Sequence, residues 1–206
     1  MAKVYEIDGV IPVVHPSSFV HPDAILIGDV IVGQNCYIGP AACLRGDFGQ
    51  IEIGDGANVQ DTCVIHSFPG KKVVVEEYGH VGHGAVLHGC CVGRNALIGM
   101  NSVVMDDAEI GESAIVAACS FIKSGFVVPA GNLAAGSPAR LIRELSDDEI
   151  AWKSKGTEEY MQLARRSITT MKPVSALPER DSDRPTLKVS VDHKPLQSHR
   201  EAGGSS

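Results

Sequence analysis

Three histidines fall within twelve residues, "GHVGHGAVLHGC" from Gly79 to Cys90: His80, His83 and His88. A fourth, His66, lies upstream. Neutral imidazole is a common ligand for zinc, and a catalytic zinc site takes three protein ligands and leaves a position for water. Zinc lowers the pKa of that water to about 7, so the chemistry is attack on an electrophilic carbon. The stretch has no proline and alternates small with aliphatic residues, so a rigid scaffold rather than a loop is expected to hold the rings.

The scaffold is legible as a repeat. Val20, Leu26, Val32, Ile38 and Leu44 are spaced by six, with Ala24, Val30, Cys36 and Ala42 at the intervening, mostly small, position. The frame returns at Ile53, Val59 and Ile65, again at Val75, Val81 and Leu87, and after a one-residue slip from Val92 through Ile122, with Cys91 taken as the small residue before the slip. A period of six fits a short strand followed by a corner, three of which close a triangular coil of ~18 residues. Large aliphatics stack inward, and coils lie ~4.8 Å apart. Two breaks, three residues between Leu44 and Ile53 and four between Ile65 and Val75, are expected to bulge as loops at "GDFGQ" (Gly46–Gln50) and "SFPGKK" (Ser67–Lys72).

This frame sorts the histidines. Arg45, His66 and His88 each follow an inward aliphatic, Leu44, Ile65 and Leu87, one coil apart once the insertions are discounted. They stack on one face, and His66 and His88 become neighbours able to share a metal. His83 follows Val81 by two residues and faces another side, where it cannot easily reach that pair; a rotated second copy of the prism could bring it there. His80, His15, His21, His193 and His199 lack such partners and read as ordinary surface residues.

Beyond Ile122, Pro129, Gly131, Gly136 and Pro138 mark the end of regular coils. Ser146 and Glu149 have capping-box spacing, which predicts a helix through "DDEIAWKSKGTEEYMQLARRSITTM", weakened at Gly156, with Ile150, Met161, Ala164 and Ile168 on its packed side. Residues 1–140 then form the β-helix and 141–171 the helix. Residues 172–206, rich in proline and charge, are expected to be a disordered, dispensable tail. The net charge of −7, with no run of lysine or arginine, argues against nucleic acid and anionic membrane as partners. No segment is long enough to span a bilayer and no signal-peptide pattern opens the chain, so a cytoplasmic protein is expected. The six cysteines show no CxxC spacing and read as small buried apolar residues.

These features together resemble the γ-class carbonic anhydrase family of hexapeptide-repeat proteins, through "RGD" at Arg45–Asp47, "NVQD" at Asn58–Asp61, His66, and "HGAVLH" at His83–His88. The resemblance spans roughly Val13 to Ile142 and lies with the phenylacetate-degradation and carnitine-operon branches. It implies an all-β, left-handed parallel β-helix with a C-terminal α-helix, assembled as a homotrimer with metal at the subunit interfaces. His66 and His88 of one chain and His83 of the next would be ligands to Zn2+, with Fe2+ or Co2+ as alternatives. It further implies an Arg45–Asp47 ion pair with Asp61 in the same network, Gln60 bonded to the metal's water, Asn58 supporting the pocket, and Tyr160 reaching the site.

The activity expected is hydrolysis of an acyl-CoA thioester in phenylacetate or other aromatic catabolism, ahead of carbon dioxide hydration to bicarbonate. Active carbonic anhydrases of the family carry proton-shuttling glutamates after the arginine motif and after the first ligand; here Phe48 and the basic "SFPGKK" stand in those places. Lys71 and Lys72 could attract CoA phosphates. An acyltransferase and a non-catalytic trimeric scaffold are the rival readings.

Overall fold

The chain folds into a left-handed parallel β-helix with an inward aliphatic at every sixth position. The computed structural model describes residues 2–187. Three columns of side chains fill the prism. One runs Leu26, Leu44, Ile65, Leu87, Val104, Ile122. A second runs Val20, Ile38, Val59, Val81, Ile98, Val116, Ala134. The third runs Val14, Val32, Ile53, Val75, Val92, Ile110, Val128. The first and third belong to one 12-stranded sheet, and the second is an 8-stranded sheet of its own. Nearly all of these side chains are fully buried. Corners are turned by left-handed residues such as Asn35, Asn95 and Asn101, with φ of 53°, 54° and 55°. Asparagine tolerates this region better than most residues, and each coil's corner bonds to the last: the Asn101 N–H donates to the His83 carbonyl at 2.9 Å.

The two insertions behave differently. Ser67–Lys72 is a loop. "GDFGQ" is not: Cys43–Ile53 is a continuous strand paired to Ile25–Val32, and the extra residues bulge within it, because Gly28 faces Gly46 and Val30 next faces Ile51. Two glycines allow this close approach, since a Cβ on Gly28 (φ 69°) would sit 2.6 Å from the Gly46 carbonyl oxygen. The one-residue slip corrects a cysteine. Cys90 takes the buried small position, and Cys91 points outward beside Glu109. Cys36 and Cys63 are buried, Cys43 and Cys91 half-buried, and Cys119 exposed, so burial does not account for all six. All are free thiols.

The coils end in an antiparallel hairpin, Asn132–Gly136 with Ala139–Glu144. The helix α1, Asp147–Thr170, then runs back down the 8-stranded face to the first coils, touching Phe19–Val20, Tyr37–Ile38 and Asn58–Val59. Its 24 residues give ~36 Å, enough to span the stack. Ser146 and Glu149 form the expected capping box, Arg143 pairs with Glu149 through two bonds of 2.7 and 2.8 Å, and Gly156 does not interrupt the helix. Of the apolar side expected from sequence, Ala164 is buried and Ile150 and Met161 are half-buried, whereas Ile168 is 48% exposed; the polar Glu149, Lys153, Thr157 and Ser167 are buried as well. No helix among the described residues is long and apolar enough to cross a membrane. Residues 172–187 are exposed and without regular structure; the rest of the expected tail, with His193 and His199, lies outside the described residues.

Lys153 fastens the helix. Its Nζ donates to the Tyr78 carbonyl at 2.6 Å and to Asn95 Oδ1 at 2.8 Å. Burial pulls its pKa down to about 7, and a neutral amine has the two protons that these bonds require. A Lys153→Met chain should lose about 1–3 kcal/mol, because the Tyr78 carbonyl and Asn95 Oδ1 each lose a part-buried hydrogen bond. The folded chain binds fewer protons than the unfolded one between pH 7 and the ordinary lysine value, so Lys153 makes stability rise with pH through that window. Denaturant melts at pH 7 and pH 10 should show that rise in the parent chain, reduced in the variant.

Candidate metal centre

Register brings His66 and His88 together. They are paired partners in adjacent strands, Val64–His66 and Val86–His88. His66 Nδ1 stands 3.2 Å from His88 Nε2. Two imidazole nitrogens at that distance either share a proton or share a cation, and tetrahedral zinc with ligands at ~2.0–2.1 Å separates them by ~3.3 Å. The outer nitrogens are occupied. His66 Nε2 lies 3.1 Å from Asp47 Oδ1, and His88 Nδ1 lies 2.7 Å from Asp106 Oδ1. Carboxylates so placed fix the tautomer and leave the inner lone pairs free to coordinate.

Asp47 is held in turn by Arg45, whose Nη1 donates to Asp47 Oδ2 at 2.7 Å, as the resemblance implies. Burial raises the Asp47 pKa, but hydrogen bonds from Arg45 and His66 and the guanidinium charge outweigh it, so the carboxyl sits below its usual range. Aromatic rings flank the pair: Phe48 packs 5.4 Å from His66, and Phe68, from the Ser67–Lys72 loop, packs edge-on 4.9 Å from His88. Phe68 was not singled out from sequence, nor was Asp106. The signal for Asp106 was available, because it lies one coil, 18 residues, beyond His88.

His83 stands apart from that pair. Its Nδ1 lies 2.9 Å from Asp61 Oδ2, and its side chain is 43% exposed against 13% for His66. Within one chain Asp61 pairs with His83. Tyr160, carried by α1, brings its hydroxyl to 3.4 Å from His83 Nε2. Burial first, then the nearby Asp61, pushes the Tyr160 phenol up to about 12, so it stays a proton donor. Among the described residues of one chain, no three potential metal ligands converge. The residues present fit a divalent metal: three histidines, each with one nitrogen set against a carboxylate.

His80 is not the lone surface histidine expected from sequence. Its Nε2 lies 2.6 Å from Gln60 Nε2, its Nδ1 lies 3.2 Å from Asn58 Nδ2, and Tyr160 packs on it at 90° and 5.3 Å. His15 and His21 bond only locally, to Ser17 and to the Asp23 backbone and carboxylate. Gln60, His80, His83 and Tyr160 form the polar end of a cavity of about 410 Å3 between α1 and the 8-stranded sheet. Its walls are apolar, with Leu97, Ile115, Leu133 and Trp152. Lys71 is less available to an anionic ligand than its sequence position suggests, since it pairs with Asp107 at 2.6 Å.

The comparisons agree with this architecture. Residues 89–124 match the family described as bacterial transferase hexapeptide (six repeats). Carnitine operon protein CaiE of Salmonella agona is 53% identical over 93% of this chain and 96% of its own length. The chain belongs to the hexapeptide-repeat family. CaiE of Escherichia coli is 51% identical over 93% of this chain and 97% of its own length. Among solved structures, a hexapeptide transferase family protein of Anaplasma phagocytophilum is 38% identical with a TM-score of 0.77, covering 79% of this chain and 96% of that one. A protein of Bacillus cereus described as a putative acetyltransferase is 34% identical with a TM-score of 0.80, covering 82% and 98%.

Replacing Asp106 by Asn keeps the shape but removes the charge behind His88. Zinc affinity of the purified chain, measured by competition with a chromogenic chelator, should fall by about 10–100-fold. An unchanged affinity would mean that His88 needs no such orientation.

Proposed function

We propose that this protein is a metal-dependent hydrolase of acyl-CoA thioesters, working as a homotrimer with its centre shared between subunits. The observation that carries the proposal is the set of three histidines, each backed by an aspartate, of which only two meet within one chain. His66 and His88 of one subunit and His83 of the next would hold the metal; imidazole ligands suit zinc, iron and cobalt. When bound, the metal supplies Lewis acidity and makes water a competent nucleophile near neutral pH.

The chain's own residues do the rest. Asp47, Asp61 and Asp106 set the imidazole tautomers, Arg45 holds Asp47, and Phe48 and Phe68 shield the outer sides of His66 and His88. The Tyr160 hydroxyl, kept protonated, offers a hydrogen at the polar end of the cavity. That cavity supports a thioester over carbon dioxide: its length of apolar wall suits an acyl group, and carbon dioxide has no use for it. The absence of shuttling glutamates beside Phe48 and in "SFPGKK" supports the same choice, because fast hydration must export a proton each turnover. Resemblance to the phenylacetate-degradation protein PaaY favours aromatic acyl groups. The structural relatives described as transferases raise acyl transfer as the second reading.

Sharing is tested by complementation. His83→Ala and His66→Ala chains should each fail to bind metal as homotrimers. Mixed and refolded together, they should recover a site wherever an intact His66–His88 pair meets an intact His83. Full metal content in either homotrimer would contradict a shared centre.

The reaction is tested by offering the metal-loaded protein carbon dioxide, a panel of short-chain and aromatic acyl-CoAs, and the same thioesters with amine and alcohol acceptors. Release of free acid from thioesters is expected, and loss of that activity in His88→Ala. Robust carbon dioxide hydration without thioester cleavage would overturn the proposal, as would acyl transfer without hydrolysis.

A further inference from the structure

Asn58, Gln60 and His80 close a triangle of contacts beside the candidate centre. Asn58 uses one terminal atom of its amide toward His80 Nδ1, at 3.2 Å, and the other toward Gln60, at 2.9 Å. Gln60 uses a single terminal atom for both of its contacts, the second being His80 Nε2 at 2.6 Å. An amide has one donor end and one acceptor end, and a half-turn exchanges them. Every contact must join a donor to an acceptor. Asn58 therefore shows opposite polarity to its two partners, and Gln60 shows the same polarity to both of its own.

This fixes the ring between them. Going round the triangle, the two nitrogens of His80 must have like polarity: both accept or both donate. Two accepting nitrogens would require an imidazole stripped of both protons, which does not exist near neutral pH. Two donating nitrogens are the imidazolium. All three contacts are satisfied together only when His80 carries two protons and the Gln60 oxygen faces both the ring and the Asn58 NH2. The Gln60 NH2 is then at the amide's other end, which takes no hydrogen bond among the described residues, and Gln60 lines the cavity. Groups near His80 include Tyr160 on α1, and, around the same cavity, His83 on its own coil and Glu149 on α1. Asp61, on the coil below, bonds His83 and lies close enough to raise the Tyr160 pKa. Its carboxylate favours a cation here.

We infer that His80 is a positioning residue that locks the Gln60 amide as a hydrogen-bond donor into the cavity, directed at the acyl oxygen of the substrate. A donor already aimed at an oxygen that gains negative charge during attack lowers the barrier without reorganising. A neutral His80 would leave one contact of the triangle unmatched, and with Nε2 bare it would turn the Gln60 NH2 to the ring and present an oxygen to the substrate. The identity of that oxygen rests on the proposed thioester reaction; the charge of His80 does not.

Two measurements test this. The first is 15N NMR of the full chain labelled at histidine, with the His80 signals assigned by their loss in His80→Phe. Both ring nitrogens of His80 should be protonated at pH 7; one protonated and one bare nitrogen would overturn the inference. The second is kinetic. Gln60→Glu keeps the oxygen toward His80 and nearly the same shape, but removes the donor. Its kcat on acyl-CoA should fall by about 10²–10³-fold with little change in KM, and His80→Lys, a side chain that only donates, should retain more kcat than His80→Phe. A Gln60→Glu chain with parent kcat would sink the donor role. If the parent chain cleaves no thioester, the proposed reaction fails while the NMR result still decides the state of His80.

Discussion

The hydrogen-bonded register between successive coils is the constraint on which everything else here depends. Parallel strands ~4.8 Å apart place residue over residue, and a slip of one would turn each inward aliphatic out to solvent. Leu44, Ile65 and Leu87 hold that register by burial, and His66 and His88 are stacked only because each follows one of them. The insertions of three and four residues had to leave the column to preserve it. One did so as a loop carrying Phe68, the other as a bulge carrying Asp47 and Phe48. The same departures that protect the core thus deliver the groups that surround the histidines.

Electrostatic order follows from that geometry. Each of His66, His83 and His88 has a carboxylate on one nitrogen, supplied by a neighbouring coil. Charge is arranged along the stack in short pairs, and even Asp47, which burial alone would favour neutral, is kept ionised by Arg45 and His66. The helix adds what the coils lack. By docking a polar stripe through Lys153 and Glu149, it brings Tyr160 to His80 and His83 and roofs an apolar cavity over the 8-stranded sheet.

Much of this could be read from residue spacing, because a period of six is a property of the chain itself. The columns, the His66–His88 pairing, the separate position of His83 and the Ser146–Glu149 cap were all legible, while the Arg45–Asp47 pair came from the family resemblance. What escaped depends on contacts between distant stretches. Asp106 required adding one coil to His88, and His80 required counting back 22 residues to Asn58 across an insertion. The strand at Cys43–Ile53 was mistaken for a loop because an insertion shows only surplus length, and the two facing glycines that let it stay paired become visible as neighbours only after folding. The packed face of α1 was legible only in part, at Ile150, Met161 and Ala164: its lysine and glutamate are buried by specific hydrogen bonds, which hydrophobic patterning cannot anticipate. Cys90 and Cys91 were exchanged because a one-residue slip can be placed on either side of them.

The reversed strand at the end of the coils bears on a hazard common to stacked parallel sheets, whose terminal edges are templates for another chain. Phe121–Ile122 and Val127–Val128 end the larger sheet in the parallel sense, with Phe121 and Val127 exposed. On the third face Ala139–Glu144 runs against Asn132–Gly136 and presents the opposite polarity. A second molecule trying to continue the spiral would find two faces in register and one out of it. The hairpin therefore acts as a stop against end-to-end polymerisation, separating a finite particle from a growing fibre by the direction of six residues.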